Sequence, residues 1–171
     1  YFSLWESDEN LIEKLDYYIP DRYKEGYGLS KEGIDFASEH DVDLIISLDC
    51  GIKSVEHVAY AKEKGIDFII CDHHTPGPKL PAAIVLDPKR EDCNYPYDEL
   101  SGCGVGFKLL QGLCDYNNWD YAKLFELLDF LAISIGADIV PVTGENRVLC
   151  FHGMERLNAH PRKAFRELLL L

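Results

Sequence analysis

Short continuous apolar runs alternate with amphipathic stretches through the first half of the chain. Asp43–Leu48 (DLIISL), Asp67–Cys71 (DFIIC) and Ala82–Leu86 (AAIVL) have strand length and no polar face. Between the first two lies Ser54–Lys64, with Val55, Val58, Ala59 and Ala61 spaced to face a core, Ser54 placed as an N-cap and Gly65 where a helix C-cap belongs. Upstream, Asp16–Pro20 reads as a short strand. Lys31–His40 reads as a helix after the turn residues Gly26, Gly28 and Ser30. Apolar strands separated by helices of this length predict an α/β fold, a parallel sheet flanked by helices on both faces.

The second half has a different rhythm. Thr75–Pro81 and Asp87–Tyr97 are rich in Pro, Gly and charge and read as loops. From Gly104 the pattern is helical: Val105–Tyr116, Tyr121–Ala137, roughly Glu145–Asn158, and Arg162–Leu170. Tyr121–Ala137 is apolar nearly all round, as a central buried helix would be. The expected organisation is an α/β part over residues 1–100 and a mainly helical part over 101–171, with no repeat or linker between them.

Composition narrows the possible functions. Seventeen Lys and Arg against thirty Asp and Glu give a net charge of −13, which argues against nucleic-acid binding by charge alone. Carboxylates that hold divalent cations fit this balance. No apolar run reaches the roughly 20 residues of a membrane span, since Asp129 and Asp138 interrupt the longest, and no basic leader opens the sequence. The expectation is a cytoplasmic protein without membrane contact. The six cysteines form no CxxC pair, and the predicted state is reduced thiols, most of them in the core.

The chemistry gathers at strand ends. Asp49 follows one apolar strand and Asp72-His73-His74 follows the next, one crossover helix apart. A right-handed crossover returns the chain parallel, so both groups emerge on the same edge of the sheet, where α/β folds bind ligands. Neighbouring strands lie roughly 4.8 Å apart. Two carboxylates and two imidazoles this close call for neutralisation, and a divalent cation such as Mn²⁺ accepts both oxygen and imidazole donors. Asp138, in Gly136-Ala137-Asp138-Ile139-Val140-Pro141, is either a buried cap or a further ligand. Arg22, beyond the first strand, is suited to clamp a phosphate or to stand solvated on the surface. Ser101 and Gly102 open the helical half in Ser101-Gly102-Cys103-Gly104-Val105-Gly106. Their backbone N–H groups offer an anion cradle, and the glycines equally suit close helix packing.

Cys71-Asp72-His73-His74-Thr75 and Ser47-Leu48-Asp49-Cys50-Gly51 resemble two signatures of the DHH phosphoesterases, which carry a Rossmann-like domain. Further blocks are similar to the single-strand-specific 5′→3′ exonuclease branch of that family. They are Tyr18–Arg22, Glu25–Leu29, Asp87–Arg90, Leu100–Lys108, Ala137–Pro141 and Glu145–Arg147. The resemblance implies hydrolysis of phosphodiester bonds in single-stranded DNA, in repair and recombination, with a pair of Mn²⁺ or Mg²⁺ ions. It implies that Asp49 bridges the ions and that His73 and Asp138 complete the coordination of one. His74 would contact the scissile phosphate or support proton transfer, Asp72 would orient the histidines, and Arg22 would hold a DNA phosphate. The anion cradle read at Ser101 and Gly102 would then meet the same substrate.

The family also has an Asp-x-Asp-x-Asp-Gly motif after its first strand, which this sequence lacks. The expectation is therefore a partial domain, without that motif and without the later DHHA1 and OB-fold parts. Such a piece would bind metal weakly and show little nuclease activity by itself. Two other functions stay open at this point: a phosphoesterase of short oligonucleotides or nucleotide phosphates, and a non-catalytic scaffold, against which the retained Asp49, His73, His74 and Asp138 argue.

Overall fold

A computed structural model describes residues 15–168. Three strands, β1 (Leu44–Leu48), β2 (Asp67–Cys71) and β3 (Ile84–Leu86), form a parallel sheet in the order β1-β2-β3. Its register pairs Leu48 with Cys71 and Cys71 with Leu86. Helices α1 (Lys31–Glu39) and α2 (Val55–Glu63) precede β1 and β2 respectively. After β3 come α3 (Gly102–Asn117), α4 (Ala122–Phe125), α5 (Leu128–Ala137), α6 (Gly144–Ala159) and α7 (Lys163–Leu168).

Side chains of a strand alternate between faces, and the two cores follow that alternation. Ile45, Phe68, Ile70 and Val85 point to one face, where Ile34 and Ala37 of α1 and Val58 and Ala61 of α2 cover them. Ile46, Ile69, Cys71 and Leu86 point to the other, against Phe107 and Leu110 of α3 and Leu131 and Ile135 of α5. Ile70, Leu131 and Leu124 are fully buried, each contributing about 1.5–3 kcal/mol of apolar transfer. Ser30 caps α1 by accepting from Gly33 N at 3.0 Å, and Ser101 caps α3 by accepting from Gly104 N at 3.2 Å. The cap of α3 fixes where that helix starts relative to the sheet edge.

Gly153 of α6 lies directly on α5, where a Cβ would meet the Leu128 carbonyl and the Ala132 side chain. That close approach couples the two helices, and α5 carries Asp138 at its end.

Several local expectations are corrected. Asp16–Pro20 is not a strand. The polar groups around it turn to Glu25, whose carboxylate accepts from Tyr18 Oη at 2.8 Å, Asp21 N at 2.7 Å and Ser30 Oγ at 2.5 Å. The third strand is only Ile84–Leu86, because Ala83 N donates back to Pro81 O in a turn. Tyr121–Ala137 is two helices rather than one. Glu126 N to Lys123 O and Leu127 N to Leu124 O tighten the chain between them, which buries both Leu124 and Leu127. Ser54 stands at the N-cap of α2 without a side-chain cap bond, the entry being fixed by Ser54 N to Gly51 O. The C-cap there is Lys64, with Gly65 following at φ +80°. The last helix is described as Lys163–Leu168, and residues 169–171 lie outside the described residues. Among the described residues no helix is long and apolar enough to cross a membrane.

Candidate metal centre

The sheet register sets the site. Beyond the last paired residues the ladder continues, Asp49 N donating to Cys71 O at 2.8 Å and Asp72 N to Leu86 O at 3.0 Å. Asp49, Asp72 and Asp87 therefore stand in line across the carboxyl edge, one after each strand. Asp49 adopts φ +64°, a left-handed conformation that aspartate tolerates better than most residues.

Asp72 is 1% exposed and fully hydrogen-bonded. Its Oδ2 accepts from Ile52 N at 2.9 Å. Its Oδ1 accepts from His73 N at 2.8 Å, His74 N at 3.2 Å and the His74 ring Nδ1 at 2.6 Å. Burial pushes the Asp72 carboxyl up, but these donors outweigh it and hold its pKa below the usual carboxylate value. As an anion Asp72 only accepts, so His74 carries its proton on Nδ1 and keeps Nε2 free.

His73 is held in the same sense by a different group. Its Nδ1 lies 3.0 Å from the Leu100 carbonyl, which can only accept, so the proton is on Nδ1. The opposite nitrogen, Nε2, lies 3.0 Å from Asp49 Oδ1 and 4.0 Å from Asp138 Oδ2. Asp49 Oδ1 is buried and has no hydrogen-bond donor. In neutral His73 the imidazole lone pair thus faces carboxylate oxygens, an arrangement that requires a proton or a cation between them. The Asp49 carboxylate accordingly raises the His73 pKa, against desolvation.

Asp138 ends α5, and its Oδ2 accepts from Ser134 Oγ at 3.2 Å and from Gly102 N at 3.3 Å. One donor atom from each of Asp49, His73 and His74 falls within 4.8 Å of the others. Carboxylate oxygen with imidazole nitrogen is a donor set for a first-row divalent ion, and the unpartnered Asp49 oxygen and the Nδ1-protonated His73 fit one. Second-neighbour hydrogen bonds that fix ring tautomers, here from Leu100 and Asp72, are the usual support of such ligands.

The remaining residues singled out in the sequence divide into rim and frame. Arg22 is exposed and lines a cavity of about 240 Å³ shared with Asp49 and Cys50, its guanidinium 5.3 Å from the Tyr27 ring centre. Ser101 is fully buried, with its hydroxyl engaged as the α3 cap. Gly102 is buried too, and its N–H is directed to Asp138. Burial raises the Cys50 thiol to about 11, helped by Asp72 and Asp49.

Sequence reasoning placed two residues inside the blocks that resemble the family but gave them no role. Asp87 is 4% exposed, with Oδ2 unpartnered, and follows its strand as Asp49 and Asp72 follow theirs. That pattern was available to find it. Asn146, fully buried in the first turn of α6, gave no periodic or spacing signal.

A parallel sheet with an Asp–His cluster on its carboxyl edge defines an α/β domain with a candidate metal site. The DHH family, N-terminal domain, matches residues 3–135, and the chain belongs to that family. It is 43% identical over 164 residues to the single-stranded-DNA-specific exonuclease RecJ of Bacillus subtilis (strain 168), covering 95% of this chain and 20% of that protein. To the RecJ of Escherichia coli (strain K12) it is 41% identical over 155 residues, covering 85% and 27%. The chain thus spans about a fifth to a quarter of the length of these curated relatives. Among solved structures, exonuclease RecJ bound to manganese matches with a TM-score of 0.79 at 32% identity, over 90% of this chain and 38% of that one. RecJ from Thermus thermophilus, in complex with Mn²⁺, matches with a TM-score of 0.70 at 31% identity, over 81% and 21%.

Proposed function

We propose that this chain is the metal-binding catalytic part of a single-strand-specific 5′→3′ DNA exonuclease that works in DNA repair and recombination, in the cytoplasm. The observation that carries this reading is the convergence of Asp49 Oδ1, His73 Nε2 and Asp138 Oδ2 around His73, whose proton is fixed on the far side of the ring. The identity to relatives named as single-stranded-DNA-specific exonucleases supplies the substrate class.

In this reading Asp49, His73 and Asp138 would hold the divalent metal. Imidazole among the donors favours Mn²⁺ over Mg²⁺, which prefers oxygen alone. Such ions supply a nucleophilic water at neutral pH and charge neutralisation for in-line displacement at phosphorus. The chain's own residues do the rest. Asp72 keeps the His74 proton on Nδ1, so Nε2 is free to hold or move a proton at a phosphate oxygen. Arg22, across the cavity from Asp49, takes a neighbouring phosphate of the strand. The net charge of −13 gives little attraction for a polyanion. Grip on the strand therefore falls to further parts of a longer protein, the DHHA1 and OB-fold domains that the resemblance implies.

The test is hydrolysis by the whole protein containing this chain, with Mn²⁺, of 5′-phosphorylated single strands, duplexes and dinucleotides. The expected result is mononucleotide release from the 5′ end of single strands, lost in D49N and H73A. Preference for dinucleotides would favour a short-oligonucleotide phosphoesterase instead. Unchanged activity in both variants would overturn the enzyme reading.

A further inference from the structure

We propose that Asn146 is a positioning residue of the metal centre, one side-chain amide that holds together the two backbone segments on which His73 and Asp138 depend. The proposal rests on the metal-binding reading above.

Asn146 is fully buried, and its Nδ2 donates to Glu99 O at 2.6 Å and to Pro141 O at 3.0 Å. Both acceptors are carbonyls, so the amide is oriented by chemistry, and Oδ1 is left without a partner. The two carbonyls belong to segments that converge on the site. Glu99 immediately precedes Leu100, whose carbonyl fixes the His73 tautomer, and Gly102 N donates to Asp138 Oδ2. Pro141 closes the turn that begins at Asp138, in which Ile139 takes φ +55°, an unfavourable conformation for a β-branched residue. A turn strained in this way persists only where its surroundings hold it, and the bond to Pro141 O is one such restraint. Tyr97 Oη, donating to the same carbonyl at 3.2 Å, is another.

Capping does not account for Asn146. The cap position of α6 is Thr143, a cap side chain accepts from helix N–H groups, and the Asn146 amide instead donates, to Pro141 O just before the helix and to a carbonyl 47 residues away. Its place is behind the Leu100 carbonyl that fixes His73, and disturbing such an outer partner of a ligand typically costs about 10–100-fold in metal affinity.

The test uses the full chain in three variants. Asn146→Ala removes both donors, and Asn146→Ser retains one. Leu149→Ala, one turn along the same helix and buried in the core, loosens α6 without touching either carbonyl. Two quantities are read: the His73 ring ¹⁵N resonances in metal-free protein, and Mn²⁺ affinity by calorimetry. In N146A, at a pH high enough to keep the His73 ring neutral, its resonances are expected to shift from the Nδ1-protonated pattern toward a tautomer mixture, with Mn²⁺ affinity down tenfold or more. N146S should fall between, and L149A should lower the melting temperature while leaving both readouts in place. Should N146A fail to fold, the same comparison is made on N146S. Unchanged resonances and affinity in a folded Asn146 variant, or equal changes in L149A, would overturn the proposal. Absence of Mn²⁺ binding by the unmutated chain would instead overturn the metal reading, and the metal-free resonances would still decide whether Asn146 sets the geometry of His73.

Discussion

The carboxylate of Asp49 occupies the space that a side chain on Gly102 would fill. A Cβ built on Gly102 would lie closer to Asp49 Oδ1 than real Cβ contacts allow. Either the start of α3 or the Asp49 carboxylate must then move, and the start of α3 is pinned by the Ser101 cap and by Gly102 N on Asp138. Gly102→Ala is therefore expected to displace Asp49 and weaken Mn²⁺ binding by about tenfold or more, the scale of a disturbed ligand support. Calorimetric titration measures the affinity. Far-UV circular dichroism of the metal-free protein should show the helices intact, because alanine is a better helix former than glycine.

Asp49→Asn removes charge at nearly constant shape. The buried Asp49 Oδ1 has no donor to lose, and the residue's backbone bond to Cys71 O is unaffected. The folded state should survive while cation affinity falls by more than the roughly 10–100-fold cost of losing an outer partner. In the metal-free protein the same change takes away the main cause of the raised His73 pKa. NMR titration of the His73 ring should thus show its pKa moving down in D49N. A His73 titration identical in both proteins would show that the 3.0 Å approach carries no electrostatic coupling.

Much of this site was legible because strand ends are legible. An apolar run ending in Asp, followed by a crossover helix and another apolar run ending in Asp-His-His, is enough to put Asp49, Asp72, His73 and His74 on one edge, and the structure brings them there. What was not legible depends on local bonds that the apolar pattern does not encode. The Glu25 carboxylate ties Tyr18 Oη and Asp21 N into the loop around Asp16–Pro20, and tight backbone bonds at Glu126 and Leu127 break one apolar helix into two. The roles of Leu100 O, Gly102 and Asn146 come from contacts between segments 27 to 47 residues apart in sequence, and no local spacing encodes them.

The helical half is fastened by a buried carboxylate. Asp129 of α5 is fully buried, and its Oδ2 accepts from Arg162 Nε at 2.6 Å. Arg162 also donates from Nη2 to Glu126 O at 2.6 Å and lies 4.6 Å from the centre of the Phe130 ring. Arg162→Ala leaves that carboxylate without its cation. Removing one partner of a fully buried pair costs roughly 3–5 kcal/mol, and because Arg162 is about a third exposed the expected loss is nearer 2–3 kcal/mol. Chemical denaturation measures it. The double variant D129N/R162A should lose less than the two single variants added together, since the pair acts as a unit.

Asp87 gives the metal-free protein a pH dependence of stated sign. Burial raises its carboxyl from 3.8 to about 6, with Asp72 adding to the rise and the bond from Lys89 N opposing it. A carboxyl whose folded pKa stands above its unfolded value binds its proton more tightly in the native state. The resulting stability is fully present below about pH 4 and is lost as pH rises through 6. At roughly 1.4 kcal/mol per unit the loss is on the order of 3 kcal/mol. Asp87→Asn cannot ionise, so it should match the unmutated protein near pH 4 and exceed it in stability at about pH 7.5. Denaturant midpoints of both proteins across roughly pH 4 to 7.5 isolate the contribution, because the other titrating groups are common to the pair. Parallel curves would mean that Asp87 ionises in the folded state as freely as in the unfolded one, its buried Oδ2 having found a donor.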